Sequence, residues 1–248
     1  MPYRKLPITD ATRLNAMQAA SDRAEHVAAD ELAFSSTTKA QLDVLLPRWK
    51  TELQERGQAL SAQAAAVEAA TSQRLRLRMW ISHYFQSLFM GVERGVIQAS
   101  EMAHYQLDIS SNVLPKLVSE PQIMLWAERL VAGAAARAAA GGLPVAFPTA
   151  AEVGLEWEQY KTLRDERNSK QSTYHDEQKD VEALRDQVDA LIRDIWDEVE
   201  FTYRREQPAS LRRKARQYGV YYATMGDASE EVEVEPPPTP TDDASAIG

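Results

Sequence analysis

The sequence has no cysteine and little glycine. Without cysteine, disulfides, thiolate metal sites and cysteine nucleophiles are all excluded. Only 10 of the 248 residues are glycine, whereas the strong helix formers Ala, Gln, Glu, Arg and Leu are abundant. The composition predicts an all-α fold, in which helix exceeds about two-thirds of the ordered chain, against about one-third in a typical globular protein.

The sequence also lacks a long apolar run. The N-terminal segment MPYRKLPITD has no apolar core of the kind a secretory signal requires. The most apolar stretch, residues 130–147, is interrupted by Arg137, Gly141, Gly142 and Pro144, which disfavours a membrane span. We therefore expect a cytoplasmic protein, and the sequence is also compatible with export by a route that needs no signal peptide.

The negative charge is concentrated at the C-terminal end. The formal net charge is −9, and seven of the acids lie after residue 226, where Lys and Arg are absent. The rest of the chain therefore carries a net charge of only −2. A nearly neutral body gives no general electrostatic argument for binding nucleic acid.

Two very long helices dominate the predicted organisation. The first opens at Ser36 or Thr37 and runs to about Gly95, past an internal Pro47 that we expect to kink its first turns or mark its true start. Apolar residues repeat along it with a period of seven, which is typical of a coiled coil. The register consists of Leu46, Leu53, Leu60, Val67, Ile81 and Leu88. A second series lies four residues later in the sequence and consists of Gly57, Ala64, Thr71, Phe85 and Val92.

The second long helix has clear boundaries. Thr149 and Glu152 have the spacing of a capping box, and Pro208 ends the helix. Its second half keeps a heptad repeat formed by Val181, Leu184, Val188, Leu191 and Ile195. Between residues 165 and 180 the helix is very polar, which predicts a thin, solvated part of the pair.

These segments predict an elongated antiparallel helical bundle or coiled coil of two long helices with a small helical cap. The predicted parts are an extended N-terminal arm (1–8), a first helix with the first long helix (9–97), a small helical insert (98–148), the second long helix (149–207), a basic short helix with an aromatic C-terminal arm (208–226), and a disordered acidic, Pro-rich tail (227–248).

The strongest candidate for an interaction site is a basic and aromatic cluster near the C-terminus. Basic residues interleaved with aromatic ones can hold a nucleic-acid backbone, but they can equally dock on an acidic protein surface. The sequence favours protein docking over nucleic acid. The candidate residues are Arg204, Arg205, Arg212, Arg213, Lys214, Arg216, Tyr218, Tyr221 and Tyr222.

No catalytic, cofactor or metal site is predicted. Glu101 and His104 have the Glu-x-x-His spacing of di-iron helical bundles, but such a site needs a second copy and further carboxylates. A carboxylate-rich stretch could in principle support acid–base catalysis, although solvated helix faces explain it better. That stretch contains Asp194, Asp197, Glu198 and Glu200.

The apolar segment LVAGAAARAAAGGLPVAF between two long helices resembles the layout of helical pore-forming toxins. That resemblance implies a membrane-active protein as one alternative function, which weak hydrophobicity and Arg137 oppose. A nucleic-acid-associated factor is a second alternative. The preferred hypothesis is a non-enzymatic structural or interaction protein that binds copies of itself, in a ring or filament, or another protein. In this hypothesis the two terminal arms link the subunits.

Overall fold

The computed structural model describes residues 2–107 and 113–224. Helices make up 75% of the structure and strands 2%, which confirms the all-α prediction. The predicted tail, 227–248, lies outside the described residues. The elements within them are β1 (Tyr3–Arg4), α1 (Asp10–Glu25), α2 (Ser36–Glu93), a 3₁₀ helix (Ala99–Tyr105), α3 (Glu120–Ala139), α4 (Ala150–Thr202), α5 (Pro208–Arg216) and β2 (Tyr222–Ala223).

The chain divides into two compact units. Unit 1 comprises Met1–Trp49 and Asp186–Gly248, and unit 2 comprises Lys50–Arg185. Both long helices contribute to both units, and α2 continues through Pro47 without a break.

Unit 1 is built on the start of α2 and the end of α4. Glu198 of α4 accepts hydrogen bonds from the backbone N–H of Ser35 and from the hydroxyl of Thr38, the latter at 2.5 Å. This carboxylate therefore satisfies the backbone N–H of the residue that immediately precedes α2. The core around this junction contains Met17, Ala20, Phe34, Leu42, Trp49, Val188, Ile195, Trp196 and Tyr218.

In unit 2, α2 and α4 run antiparallel. The Gln73 amide donates to the backbone carbonyl of Glu156 at 3.1 Å and to its carboxylate at 2.7 Å. Earlier on α2, the Glu52 carboxylate lies within 4.8 Å of those of Glu177 and Asp180. Later residues of α2 therefore lie beside earlier residues of α4.

The face of α2 that is buried in unit 2 is not the predicted one. Ala59, Ala66 and Ala70 are buried, and their small side chains allow a neighbouring helix to approach closely. By contrast, Leu60 and Val67 of the predicted heptad register are 50% and 43% exposed. The predicted register is therefore wrong in this part of α2, although Leu46, Ile81 and Leu88 of the same register are buried.

The aromatic part of α2 is covered by the insert that follows it. Tyr84, Phe85 and Phe89 are buried in a cluster with residues of the 3₁₀ helix, α3 and the start of α4. The Phe85 ring makes an edge contact with that of Trp126 on α3, with centroids 5.7 Å apart. Tyr84, Phe85 and Phe89 of α2 are thus buried by residues of their own unit.

Helix α4 agrees closely with the sequence prediction. The Glu152 carboxylate accepts hydrogen bonds from the Thr149 backbone N–H and hydroxyl, both at 2.8 Å, so the capping box is confirmed. These bonds hold the pKa of Glu152 below its usual range. The predicted heptad residues, Val181, Leu184, Val188, Leu191 and Ile195, are buried, and no residue of 165–180 is. The helix ends at Thr202, five residues before the predicted end.

Candidate interaction surfaces

Two cations of the predicted basic cluster make contacts within unit 1. Lys214 of α5 pairs with Glu206, and its ammonium lies 4.9 Å from the ring centroid of Tyr203. The Lys214 hydrogen bond, with that of Ser210, lowers the pKa of the Glu206 carboxyl. Arg204, just beyond α4, stacks on Phe201, with 3.7 Å between its guanidinium carbon and the ring centroid. These two cations are engaged within their own unit.

The remaining basic residues differ in exposure. Arg205, Arg213 and Arg216 are exposed, and Arg212 is half-buried. Arg212 acts electrostatically on the Tyr222 hydroxyl. The exposed arginines are the part of the cluster that remains available to an outside partner.

The aromatic C-terminal segment is packed on its own unit, contrary to the expectation of a free arm. Tyr218 is completely buried, and its ring lies 5.9 Å from that of Phe34 and 6.5 Å from that of Tyr203. Gly219 has φ +82°, and a Cβ there would lie 2.7 Å from the carbonyl oxygen of Ala16. The segment therefore passes directly over α1, at a position that favours glycine for both conformation and space.

Two tyrosines of the predicted site differ sharply from each other. The Tyr222 hydroxyl donates to the Glu200 carboxylate at 2.5 Å, and burial together with this bond raises the pKa of Tyr222 well above its ordinary value. Tyr221, one residue earlier, is 55% exposed. This alternation follows from the extended backbone, in which successive side chains point to opposite faces.

The two predicted arms pair with each other. Strands β1 and β2 are antiparallel, with Tyr3 opposite Ala223 and Arg4 opposite Tyr222, and the Lys5 backbone N–H donates to the Tyr221 carbonyl at 3.0 Å. The sequence predicted an extended arm at 1–8 and an aromatic arm within 208–226 that link subunits. In the structure, backbone groups of both segments bind each other within one chain.

The acidic residues near the end of α4 take part in structural contacts. Asp197 and Glu200 bind the guanidinium of Arg4 at 2.5 and 3.2 Å, and Glu198 binds the start of α2 as described above. Glu101, whose Glu-x-x-His spacing the sequence analysis set aside as a metal site, pairs with Arg137 of α3. A hydrogen bond from the Gln98 backbone N–H, and then the pairing with Arg137, lower the pKa of the Glu101 carboxyl.

One cluster of three carboxylates occurs among the described residues: Glu52, Glu177 and Asp180. Partial burial, and repulsion by Glu55, Asp180 and Glu52, raise the pKa of Glu177. Two of the three residues are half-buried and Asp180 is exposed, and acidic groups of this kind are common without an ion.

Unit 2 exposes a mostly apolar stripe on α2 whose members, apart from Leu75, belong to the predicted seven-residue repeat. This exposed stripe consists of Gly57, Leu60, Ala64, Val67, Thr71 and Leu75, spaced three or four residues apart and all exposed. Its three large members, Leu60, Val67 and Leu75, are 50%, 43% and 53% exposed. Residues with this spacing share one face of a helix.

The segment 130–147 contains the second half of α3 and the loop that follows it. Helix α3 carries its first part and ends at Ala139, and Arg137 within it is 2% exposed. In the described part of the chain, no helix combines the length and the apolar character needed to cross a bilayer.

No protein-family model matches the chain, and neither a curated protein nor a solved structure shows significant similarity to it.

Proposed function

We propose that the protein is a non-enzymatic helical assembly subunit whose two long helices form a coiled-coil-like pair, and which binds a second copy of itself through the exposed stripe of α2. The observation that supports this proposal is a heptad seam that faces outwards. Leu60 and Val67 are seven residues apart, as are Ala64 and Thr71, and the second pair follows the first by four residues. Such an alternation of four and three residues is the pattern through which helices pair.

A second copy is a suitable partner because it carries the same repeat. Side chains that repeat every seven residues on one helix can fit between the side chains of an identical helix. Such a contact is self-complementary, as in two-fold dimers. The small residues Gly57, Ala64 and Thr71 leave room for a second helix to approach. The stripe would bury its large apolar side chains in this contact, instead of leaving them in water.

The seam is short, so the contact should be weak. Continuing the two heptad series beyond Val67 and Thr71 reaches Arg74 and Arg78, which end the apolar repeat. The stripe then covers 57–75, or roughly 28 Å of helix at about 1.5 Å per residue. Because small interfaces belong to transient complexes, we expect association in the micromolar range.

Light scattering after size-exclusion chromatography over a range of concentrations tests the proposal. We expect the wild type to gain mass as concentration rises, and Val67→Glu to remain monomeric, because the charge cannot be buried in the seam without a partner. Val44→Glu is the matched control, since Val44 lies on the same helix outside the stripe and is 72% exposed. It should associate as the wild type does.

Two outcomes would overturn the proposal. One is a wild-type protein that stays monomeric at every concentration. The other is a Val67→Glu variant that associates as strongly as Val44→Glu. Circular dichroism of both variants establishes that any difference arises at the contact and not from loss of helix.

A further inference from the structure

Unit 2 contains a cavity with an unusual combination of walls. Its volume is about 430 Å³, within the range of roughly 300–1,000 Å³ that small-molecule sites occupy. Most of the lining is apolar or small, and comes from α3, the following loop and the first turns of α4. The lining includes Val131, Ala134, Ala135, Ala138, Pro144, Val145, Ala151 and Gly154.

Arg137 brings a buried positive charge to this apolar wall. It is 2% exposed, and its Nε donates to the Glu101 carboxylate. Among the described residues, its buried Nη2 has no hydrogen-bond partner, and the guanidinium also interacts with the Tyr105 hydroxyl. A buried guanidinium nitrogen without an acceptor is costly, and it is the donor that a carboxylate would satisfy best.

A pair of tyrosine hydroxyls is the second polar feature of the cavity lining. Tyr84 and Tyr105 both line the cavity, and their hydroxyl oxygens are 2.8 Å apart in a buried hydrogen bond. One hydroxyl donates to the other, so one O–H hydrogen of the pair remains to be donated elsewhere. Burial, with this hydrogen bond, raises the pKa of Tyr84 well above its ordinary value, which keeps the hydroxyl protonated.

The third polar contribution is the start of α4. Thr149, Ala150 and Ala151 line the cavity, and the first turn of a helix carries peptide N–H groups without intrahelical partners and a partial positive charge. The neighbouring acid, Glu152, is bonded to the Thr149 backbone N–H and hydroxyl. Residues from four elements, α2, the 3₁₀ helix, α3 and α4, therefore bring polar groups to the lining of a mostly apolar space.

We propose that this cavity is a binding site for a small, largely apolar molecule that carries one carboxylate, with the carboxylate at Arg137 Nη2 and the apolar body against the alanines of α3. The Glu101 carboxylate accepts a hydrogen bond from Arg137 Nε. It therefore neutralises the guanidinium from one side and fixes the orientation of the Arg137 side chain. Gly142 belongs to the same arrangement, because a Cβ there would lie 2.7 Å from Arg137 Cγ and 2.8 Å from Glu101 Oε2.

Calorimetric titration with octanoate, and separately with the neutral probe 1-octanol, tests the inference on the full chain. We expect octanoate to bind at one site per chain. We expect 1-octanol to bind at least about tenfold more weakly, because it has no negative charge to pair with the Arg137 guanidinium. Equal affinity for the two probes would overturn the assignment of Arg137, and no binding of octanoate at millimolar concentration would overturn the site.

Two variants of α3 locate the site without disturbing the ion pair. Ala134→Leu fills the cavity, whereas Ala132→Leu makes the same change at an exposed residue outside the lining. We expect Ala134→Leu to weaken octanoate binding tenfold or more, and Ala132→Leu to bind as the wild type does. Undiminished binding by a folded Ala134→Leu protein would place the ligand elsewhere and contradict the proposal. Circular dichroism and the thermal midpoint of each variant show whether it is folded.

Discussion

Replacing Tyr218 with alanine should destabilise the protein by about 3–5 kcal/mol, the range for removing a large aromatic side chain from a core. Tyr218 is completely buried, and its ring contacts those of Phe34 and Tyr203. The change would leave a cavity where α1, the start of α2 and the C-terminal segment meet. Urea unfolding followed by circular dichroism measures the effect.

Tyr221→Ala is the matched control for this prediction. Tyr221 lies in the same segment and is 55% exposed, so its removal should change the free energy of unfolding by no more than about 0.5 kcal/mol. Its backbone carbonyl, which pairs with Lys5, is retained in the variant. Equal small effects of both substitutions would mean that the C-terminal segment is not packed on unit 1, and would revive its role as a free arm.

Gly133→Ala should destabilise the protein by about 1–3 kcal/mol, the usual penalty for overpacking a core. A Cβ at Gly133 would lie 2.5 Å from Tyr105 Cδ1 and 2.7 Å from the His104 carbonyl oxygen. Helix propensity alone predicts the opposite sign, because alanine is favoured over glycine within a helix by about 1 kcal/mol. The sign of the measured change therefore shows whether α3 packs closely against the 3₁₀ helix.

Gly154→Ala provides the comparison within the same unit. Its added Cβ would meet only Val131 Cγ2, at an ordinary contact distance of 3.8 Å, so we expect a gain of about 0.5–1 kcal/mol. The thermal midpoints should then move in opposite directions for the two glycines. A gain in stability at both positions would contradict the described packing of α3.

Local signals were enough to predict most of the helices. The capping box at Thr149 and Glu152 and the heptads of α4 gave the start and the buried face of that helix correctly, because both depend on residues a few positions apart. The end of α4 was predicted too late. Pro208 excludes a helix beyond it but does not require the preceding residues to remain helical.

The register of α2 shows where periodicity stops being informative. Helix α2 has two repeats at heptad spacing in its middle, one of large residues such as Leu60 and Val67, and one of small residues such as Ala59 and Ala66. Because Leu60 and Val67 are the larger apolar residues, the sequence favoured their repeat as the buried face. In the structure the repeat of small residues is the buried one. A repeat gives the spacing of residues along a helix face, but it does not show which face the partner helix covers.

Long-range contacts were the other limit. The pairing of residues 3–4 with 222–223 joins opposite ends of the sequence, and two residues per strand give almost no local signal. Arg137 and Glu101 are also distant in sequence. Arg137 was read only as an obstacle to membrane insertion, although a lone arginine on an alanine-rich helix was the available sign of a buried charge with a partner.

Disulfide trapping tests the central proposal most directly, because the chain has no cysteine of its own. A Val67→Cys variant places a thiol in the middle of the exposed stripe, and Val44→Cys places one at a more exposed site on the same helix. If two copies pair through the stripe, Val67→Cys should oxidise to a covalent dimer at micromolar concentration much faster than Val44→Cys, and an added Leu60→Glu should slow it. Equal rates of dimer formation for the two single variants, unaffected by Leu60→Glu, would contradict self-association through α2.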